Sequence, residues 1–163
     1  IMEFTSRQKK VTVMVLLFCS PWLLCQAWIA VGAPDEAFTT MPVCSNDSGN
    51  CAHLGGDAMY RMDGEYTLII NQSSDVIWDK IVQYIDDSGS DVLFEETEES
   101  GDYYTHFVER TSFWRFPDDI SLSLTSIDGL STEIELHSQS RLGQSDLGVN
   151  PNRLENIYAV LIA

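Results

Sequence analysis

Apolar and polar residues alternate along two neighbouring stretches, and this pattern constrains the fold more than any other feature. In residues 120–125, Ile and Leu alternate with Ser and Thr, and the alternation continues over 133–137 after an Asp128-Gly129 pair. A period of two residues places apolar side chains on one face of a strand and polar side chains on the other. Asp-Gly is typical of a tight hairpin turn. The pattern therefore predicts an antiparallel meander with one buried and one solvated face.

Other stretches complete an α+β arrangement. Residues 65–70, 91–99 and 103–113 favour strands. Apolar residues at helical spacing predict one helix from Ser73 or Ser74 to about residue 85, and a last helix with Asn150 as its N-cap and Pro151 at its first position. The predicted order is strand, helix, four strands, helix. This order indicates an antiparallel sheet of about five strands with two helices packed on one face, preceded by an N-terminal hydrophobic helix.

The first 32 residues differ from the rest of the chain. Arg7, Lys9 and Lys10 precede Val11–Gly32, in which 22 consecutive residues carry no charge. As a helix this segment is roughly 33 Å long, enough to cross a bilayer core. An uncleaved membrane anchor and a cleaved signal peptide, cut near Cys25-Gln26-Ala27, both explain it. In either case the basic end stays inside, so the remaining chain is membrane-anchored or secreted on the non-cytosolic side. A plastid location is also compatible.

The chain after this segment is strongly acidic. From Ala33 onward it holds 24 acidic and 6 basic residues, a net charge of −18. Such a surface repels phosphate backbones, so we expect no nucleic-acid partner. The partners that we expect are an unknown protein or a small ligand, and the membrane through the N-terminal helix. Serine-elbow, Walker and zincin motifs do not occur in the sequence, so we expect no cofactor and no catalytic residue.

Residues 33–57 are rich in Pro, Gly, Asn, Asp and Ser and are predicted to form a linker, which leaves 58–163 as a single α+β domain. Cys44 and Cys51 are the only cysteines outside the apolar segment. An exported location permits a disulfide between them. A metal site is the alternative, but two thiols with only His53 nearby make an incomplete zinc set. We therefore predict the disulfide and no metal site.

The stretch His137–Ile157 carries the pattern S-x-S-R-x-G-x-S-D-L-G-V-N-x-x-R-x-E. Together with an Asp-Asp pair that enters a strand and a Pro-x-Cys…Asn-Cys element, it resembles the family catalogued as domain of unknown function 1499, over about Met41 to Leu161. The family has no established activity, so the resemblance implies an architecture without a reaction. The matching positions are Asp118, Asp119, Ser138, Ser140, Arg141, Gly143, Ser145, Asp146, Gly148, Asn150, Arg153 and Glu155. His137 stands where the family commonly has arginine.

We predict that these polar residues form a structural network that braces the joint between the last strand, the glycine turn and the final helix. A ligand-binding site is the alternative. Arg141 is expected to be buried and bonded to Asp118, Asp119 or Asp146. Asp146 is expected to accept amide bonds, or to pair with Arg141 or Arg153. Because adjacent strand residues point to opposite faces, Asp118 and Asp119 cannot easily share one site.

Three functions stay open at this point. The first is a non-enzymatic, exported or membrane-tethered domain with a binding or accessory role. The second is a small-molecule or lipid-binding domain with an apolar cavity between the sheet and the C-terminal helix. The third is a metal-dependent hydrolase that uses Asp118, Asp119 and a histidine, either His106 or His137.

Overall fold

The computed structural model describes residues 5–56 and 59–163. Its helices are α1 (Ser6–Gly32), α2 (Ser74–Ser88) and α3 (Val149–Ile162). Its strands are β1 (Cys51–Leu54), β2 (Ile69–Ile70), β3 (Asp91–Thr97), β4 (Tyr103–Arg110), β5 (Pro117–Ser126) and β6 (Thr132–Ser140).

The strands form one antiparallel sheet in the order β1-β6-β5-β4-β3, and β2 also pairs with β6. The predicted meander is present as β4, β5 and β6, and β3 extends it by one strand. In its central pair, Ile120 lies opposite Ser138 and Leu122 opposite Leu136. The α+β class is confirmed, and the sheet has six strands where about five were expected.

The first edge of the sheet differs from the prediction. β1 lies inside the predicted linker and pairs with β6 from Leu136 to Gln139, so the domain begins before residue 58. The predicted strand over 65–70 is reduced to Ile69–Ile70, which pairs with Glu133 and Thr132 at the end of β6 that β1 does not cover. A four-residue strand in a polar segment is too short to show a period.

The apolar face of the sheet holds the core. Ile77, Ile81 and Ile85 of α2 and the stripe of α3 pack against β5 and β6. Each fully buried Ile or Leu side chain contributes roughly 1.5–3 kcal/mol to folding. The largest side chains of this layer with no exposed area are Leu54, Ile77, Ile81, Phe107, Ile120, Leu122, Leu124, Ile134, Leu136, Leu154, Ile157 and Leu161.

The polar face is not solvated as predicted, because residues 33–43 cross it. Phe38 stacks on the ring of His106 at 4.4 Å between centroids, and its backbone N–H donates to His106 Nδ1 at 2.9 Å. The Tyr104 hydroxyl donates to the Thr40 carbonyl at 2.9 Å. His106, Ser121 and His137 consequently have no exposed area. The sheet therefore has an apolar layer on one face and a buried polar layer on the other.

Helix α1 contacts the turn between β4 and β5. The indole N–H of Trp22 donates to the Phe113 carbonyl at 2.9 Å, and the Gln26 amide donates to the Trp114 carbonyl at 2.8 Å. Its mean hydropathy over 18 residues is 1.9, and 6% of that window is buried. By length and composition α1 is suited to cross a membrane, and a signal sequence meets the same criteria.

Candidate functional site

The motif residues lie where β5, β6 and α3 meet, and two adjacent aspartates divide them into two groups. Asp118 lies on the face of the sheet that carries the helices, and Asp119 lies on the face crossed by the linker. Both are almost fully buried, with 3% and 1% of their surface exposed. A buried carboxylate must be paired or well hydrogen-bonded, because its desolvation is costly. Each aspartate has an arginine partner.

Asp118 anchors a cluster that we call the helix network. The guanidinium of Arg153 donates to Asp118 Oδ2 and to Glu109 Oε2, both at 2.7 Å. It also donates to Asn150 Oδ1 at 3.0 Å and to Ser138 Oγ at 3.2 Å. Only 9% of the Arg153 side chain is exposed. One arginine thus joins α3 to three strands, β4, β5 and β6.

Asn150 does not cap α3 as predicted. Gly148 is the N-cap residue, with φ +87°, and Asn150 is fully buried in the first turn. Its amide group donates to the Asn50 carbonyl at 2.9 Å, to Ser140 Oγ at 3.0 Å and to Asp146 Oδ2 at 2.7 Å. The side chain ties the helix to β6 and to the segment before β1, so it cannot fold back over its own backbone.

Asp146 takes over the capping role. Its carboxylate accepts the backbone N–H groups of Gly148 and Asn150 at 3.0 and 3.1 Å. Its charge partner is Arg61, with bonds of 2.7 and 3.1 Å, and neither Arg141 nor Arg153 as predicted. Burial alone would raise the pKa of Asp146, but the Arg61 guanidinium and the amide donors lower it to about 2.

The lowered pKa of Asp146 predicts an acid-dependent loss of stability. The folded pKa lies below the ordinary 3.8, so the stabilisation is complete above about pH 4 and is lost as the pH falls towards 2. The shift corresponds to roughly 2 kcal/mol. We expect Asp146→Asn to be less stable than the parent by at least this amount at pH 5 and nearly equal to it at pH 2. Denaturant unfolding at both pH values measures the difference.

Arg61→Ala should remove much of the same pH dependence, because it takes away the cation that holds the carboxylate ionised. A stability deficit of Asp146→Asn that stays constant from pH 5 to pH 2 would contradict the assignment.

Asp119 anchors a second cluster, the linker network. Arg141 donates to both of its oxygens, at 2.8 and 2.7 Å, as expected for a buried arginine of this motif. Asp119 Oδ1 also lies 2.8 Å from His106 Nε2. Arg141 further donates to Asp35 Oδ1 at 2.6 Å and to the Pro34 carbonyl at 3.0 Å. Burial opposes ionisation of Asp119, but His106 and Arg141 outweigh it and lower its pKa.

A third cluster, the histidine cluster, lies on the same face beside the disulfide. Cys44 and Cys51 are bonded to each other, which confirms the predicted disulfide. His137 Nε2 lies 3.5 Å from Cys51 Sγ, and His137 Nδ1 lies 3.2 Å from His53 Nδ1. His53 Nε2 in turn lies 3.2 Å from Glu135 Oε1. Burial lowers the pKa of His137 to about 4.

Two predicted residues lie outside these networks. Ser145 is exposed, and its hydroxyl is 3.5 Å from the Leu147 amide nitrogen. Glu155 is exposed on α3 and accepts a bond from the Tyr66 hydroxyl at 3.3 Å. Three network residues were not predicted, because their partners are distant in sequence and no local pattern marks them. They are Asp35, Arg61 and Glu109. Asn50 belongs to the Pro-x-Cys…Asn-Cys element, but its bond to Asn150 was not predicted.

The geometry does not favour the other two functions, the metal-dependent hydrolase and the domain with an apolar cavity. Asp118 and Asp119 face opposite sides of the sheet, and both oxygens of Asp119 are bonded to Arg141. Both ring nitrogens of His106 are engaged, by Asp119 and by the Phe38 amide. These groups therefore offer no pair of free ligand atoms to a shared metal. Among the residues that the structure describes, the core side chains between the sheet and α3 are fully buried against one another and leave no space suited to a lipid.

Fold and site together define a small α+β domain in which five charged motif residues form internal ion pairs on both faces of one sheet: Asp118, Asp119, Arg141, Asp146 and Arg153. A family model described as a protein of unknown function (DUF1499) matches residues 42–161. The chain belongs to this family. A comparison with curated proteins finds no match.

Proposed function

We propose that this protein is a membrane-tethered domain that acts on the non-cytosolic side in a binding or accessory role, without catalysis of its own. The observation that carries the proposal is the surface of α1. The helix is long and apolar enough to span a bilayer, and almost none of its apolar window is buried against the domain. An exposed apolar surface of this extent needs a lipid or protein environment.

The orientation follows from charge. Arg7, Lys9 and Lys10 flank the N-terminal side of the span, and basic flanks stay on the cytosolic side. The domain that follows is acidic and holds a disulfide, which fits an oxidising compartment outside the cytosol.

The turn between β4 and β5 supports close contact between the domain and the membrane. Its tip exposes 67% of Phe113 and 40% of Trp114. Its carbonyls are bonded to Trp22 and Gln26, which precede the end of α1 at Gly32 by ten and six residues. At 1.5 Å per residue these positions lie roughly 15 and 9 Å before the helix end. The tip therefore lies beside the C-terminal half of the span, where its exposed aromatic side chains are suited to contact with lipid.

The absence of catalysis is supported by how the motif charges are used. Arg141, Arg153, Asp118 and Asp119 bond to one another and to backbone groups. A catalytic group needs a free atom that faces a substrate. The charged groups of these four side chains are engaged by partners within the domain.

A topology experiment tests the tether. We expect the full chain to resist extraction from membranes at alkaline pH, and a protease added to intact cells or vesicles to digest the domain from its C-terminus. A chain that is released from the membrane after losing its N-terminal segment would show a cleaved signal instead. Full protection of the domain, with an N-terminal tag accessible outside, would refute the orientation.

A fluorescent label tests whether the tip of the turn between β4 and β5 contacts the bilayer. We expect an environment-sensitive dye on Phe113→Cys, in full-length protein reconstituted in zwitterionic vesicles, to fluoresce strongly and to resist aqueous quenchers. Leu130→Cys is the matched control, because Leu130 is 75% exposed in the turn at the other end of β5. Cys19 and Cys25 are replaced by serine, since both are free thiols. Equal quenching at both positions would show that the tip does not contact the bilayer.

A further inference from the structure

We propose that Cys44, Cys51 and His137 form a redox-gated site for Zn2+, closed while the disulfide is intact and open once it is reduced. The proposal does not depend on the membrane tether. It rests on the histidine cluster, which the helix and linker networks do not use.

The three ligand groups are already close together. Both sulfur atoms and a His137 ring nitrogen lie within 4.8 Å of one another. β1 and β6 fix this arrangement, because their register places Cys51 opposite Gln139 and His53 opposite His137. Zinc binds thiolate at about 2.3 Å and imidazole at about 2.0–2.1 Å. One ion between the three groups therefore requires side-chain rotation at the cysteines and leaves the strand pairing in place.

The surroundings of His137 orient it as a ligand. A carboxylate only accepts, so the Glu135 contact places the proton of a neutral His53 ring on Nε2. His53 Nδ1 lies 3.2 Å from His137 Nδ1, and one of these two nitrogens donates to the other. His137 Nε2 lies beside Cys51 Sγ and 3.2 Å from Gln139 Oε1, so it can face an ion between the sulfur atoms once the Gln139 side chain turns away. Metal-binding histidines are typically held by such a hydrogen bond from the second nitrogen to a carboxylate or another acceptor.

A route to the site exists. A cleft of ≈ 420 Å³ is lined by Met41, Cys44, His53, Met59 and Glu135, and it opens to solvent next to the disulfide. Cys44 is only partly buried. Two thiolates and one imidazole give three protein ligands, so the fourth position of a tetrahedral ion would be left for water or a small ligand.

The chemistry balances with a dithiol reductant. The reductant transfers two electrons and two protons to the Cys44–Cys51 bond and is itself oxidised to a disulfide. Each cysteine thiol then loses its proton to solvent as Zn2+ binds. Two thiolates neutralise the charge of the ion, so the buried site carries no net charge.

The domain should stay folded without the disulfide. The bond joins residues only seven positions apart, and closing so short a loop stabilises a domain less than a long-range bridge does. β1 remains held by its ladder with β6, and Ala52 and Leu54 remain in the core.

Zinc titration of the full chain in mild detergent tests the proposal. The protein carries Cys19→Ser and Cys25→Ser, so that Cys44 and Cys51 are its only thiols, and a phosphine serves as the reductant. We expect one Zn2+ per chain in competition with a chromophoric chelator after reduction, and none before it. Co2+ should give a thiolate-to-metal absorption band in the reduced protein alone. Circular dichroism confirms that the reduced chain is folded.

Substitutions assign the ligands. Cys51→Ser should abolish zinc binding and the Co2+ band. His53→Gln should lower the zinc affinity roughly 10–100-fold and keep the band, because His53 positions His137 without touching the ion. Glu133 is exposed on β6, the strand that carries His137, so Glu133→Gln should change neither the zinc affinity nor the Co2+ band. Equal binding by the oxidised protein, no binding by the reduced protein, or unchanged binding by Cys51→Ser would each overturn the proposal.

Discussion

Arg141→Ala is expected to lower the free energy of unfolding by about 3–5 kcal/mol, the usual cost of removing one member of a buried ion pair. Only 9% of the Arg141 side chain and 2% of the Asp119 side chain are exposed, so the substitution leaves a buried carboxylate with His106 as its remaining side-chain partner. It also releases Asp35 and the Pro34 carbonyl, which hold the linker on the sheet. Chemical denaturation of the full chain in mild detergent measures the loss.

Arg110→Ala is the matched control for Arg141→Ala. Arg110 also pairs with Asp35, but its other partner is Asp91, and these two carboxylate side chains are 47% and 61% exposed. Exposed pairs contribute about 0–1 kcal/mol. The loss of stability in Arg141→Lys should lie between those of Arg141→Ala and Arg110→Ala, because an ammonium group cannot donate to Asp119 and to the linker in the same fork geometry. A change within about 0.5 kcal/mol for Arg141→Ala would show that the linker network does not stabilise the domain.

Arg153→Ala should cost a similar amount, about 3–5 kcal/mol. It leaves two carboxylates, Asp118 and Glu109, without their shared cation inside the layer between β5 and α3. The hydroxyl of Tyr84 still donates to Glu109 at 2.6 Å, but a neutral donor does not replace a guanidinium. Unfolding followed by circular dichroism, which reports the loss of helical structure, measures the effect.

Glu155→Ala provides the control on the same helix, because Glu155 is exposed and bonded only to the Tyr66 hydroxyl. Its stability should stay within about 0.5 kcal/mol of the parent. If Arg153→Ala were no more destabilising than Glu155→Ala, the helix network would be available for a ligand.

The meander and the core were predictable from the sequence, because their patterns are local. Alternation over 120–125 and 133–137 gives the strand faces directly, and the stripes of α2 and α3 follow from helical spacing. Asp128-Gly129 marks the turn in the same way: the Asp128 carboxylate accepts the backbone N–H groups of Leu130 and Ser131. The disulfide was predictable because only two cysteines lie outside the apolar segment.

The polar layer was not predictable, and the reason is physical. A face lined by His, Ser and Glu reads as solvated, but the same groups can be buried when every polar atom finds a partner. The partners of Arg141 and Asp146 include Asp35 and Arg61, 106 and 85 residues away. Contacts between residues so far apart in the chain close long loops and produce no local spacing that a sequence pattern could reveal. β1 was missed for the same reason, since its four residues form a strand by pairing with β6, more than 80 residues later.

The central claim is that two adjacent aspartates fasten different layers to the two faces of β5, each through its own arginine. Double-mutant cycles with Arg→Met and Asp→Asn substitutions test it most directly. The account predicts coupling energies of roughly 1–3 kcal/mol for Arg141 with Asp119 and for Arg153 with Asp118, and values near zero for the crossed pairs. Equal coupling in the matched and crossed pairs, or no coupling in any pair, would contradict it.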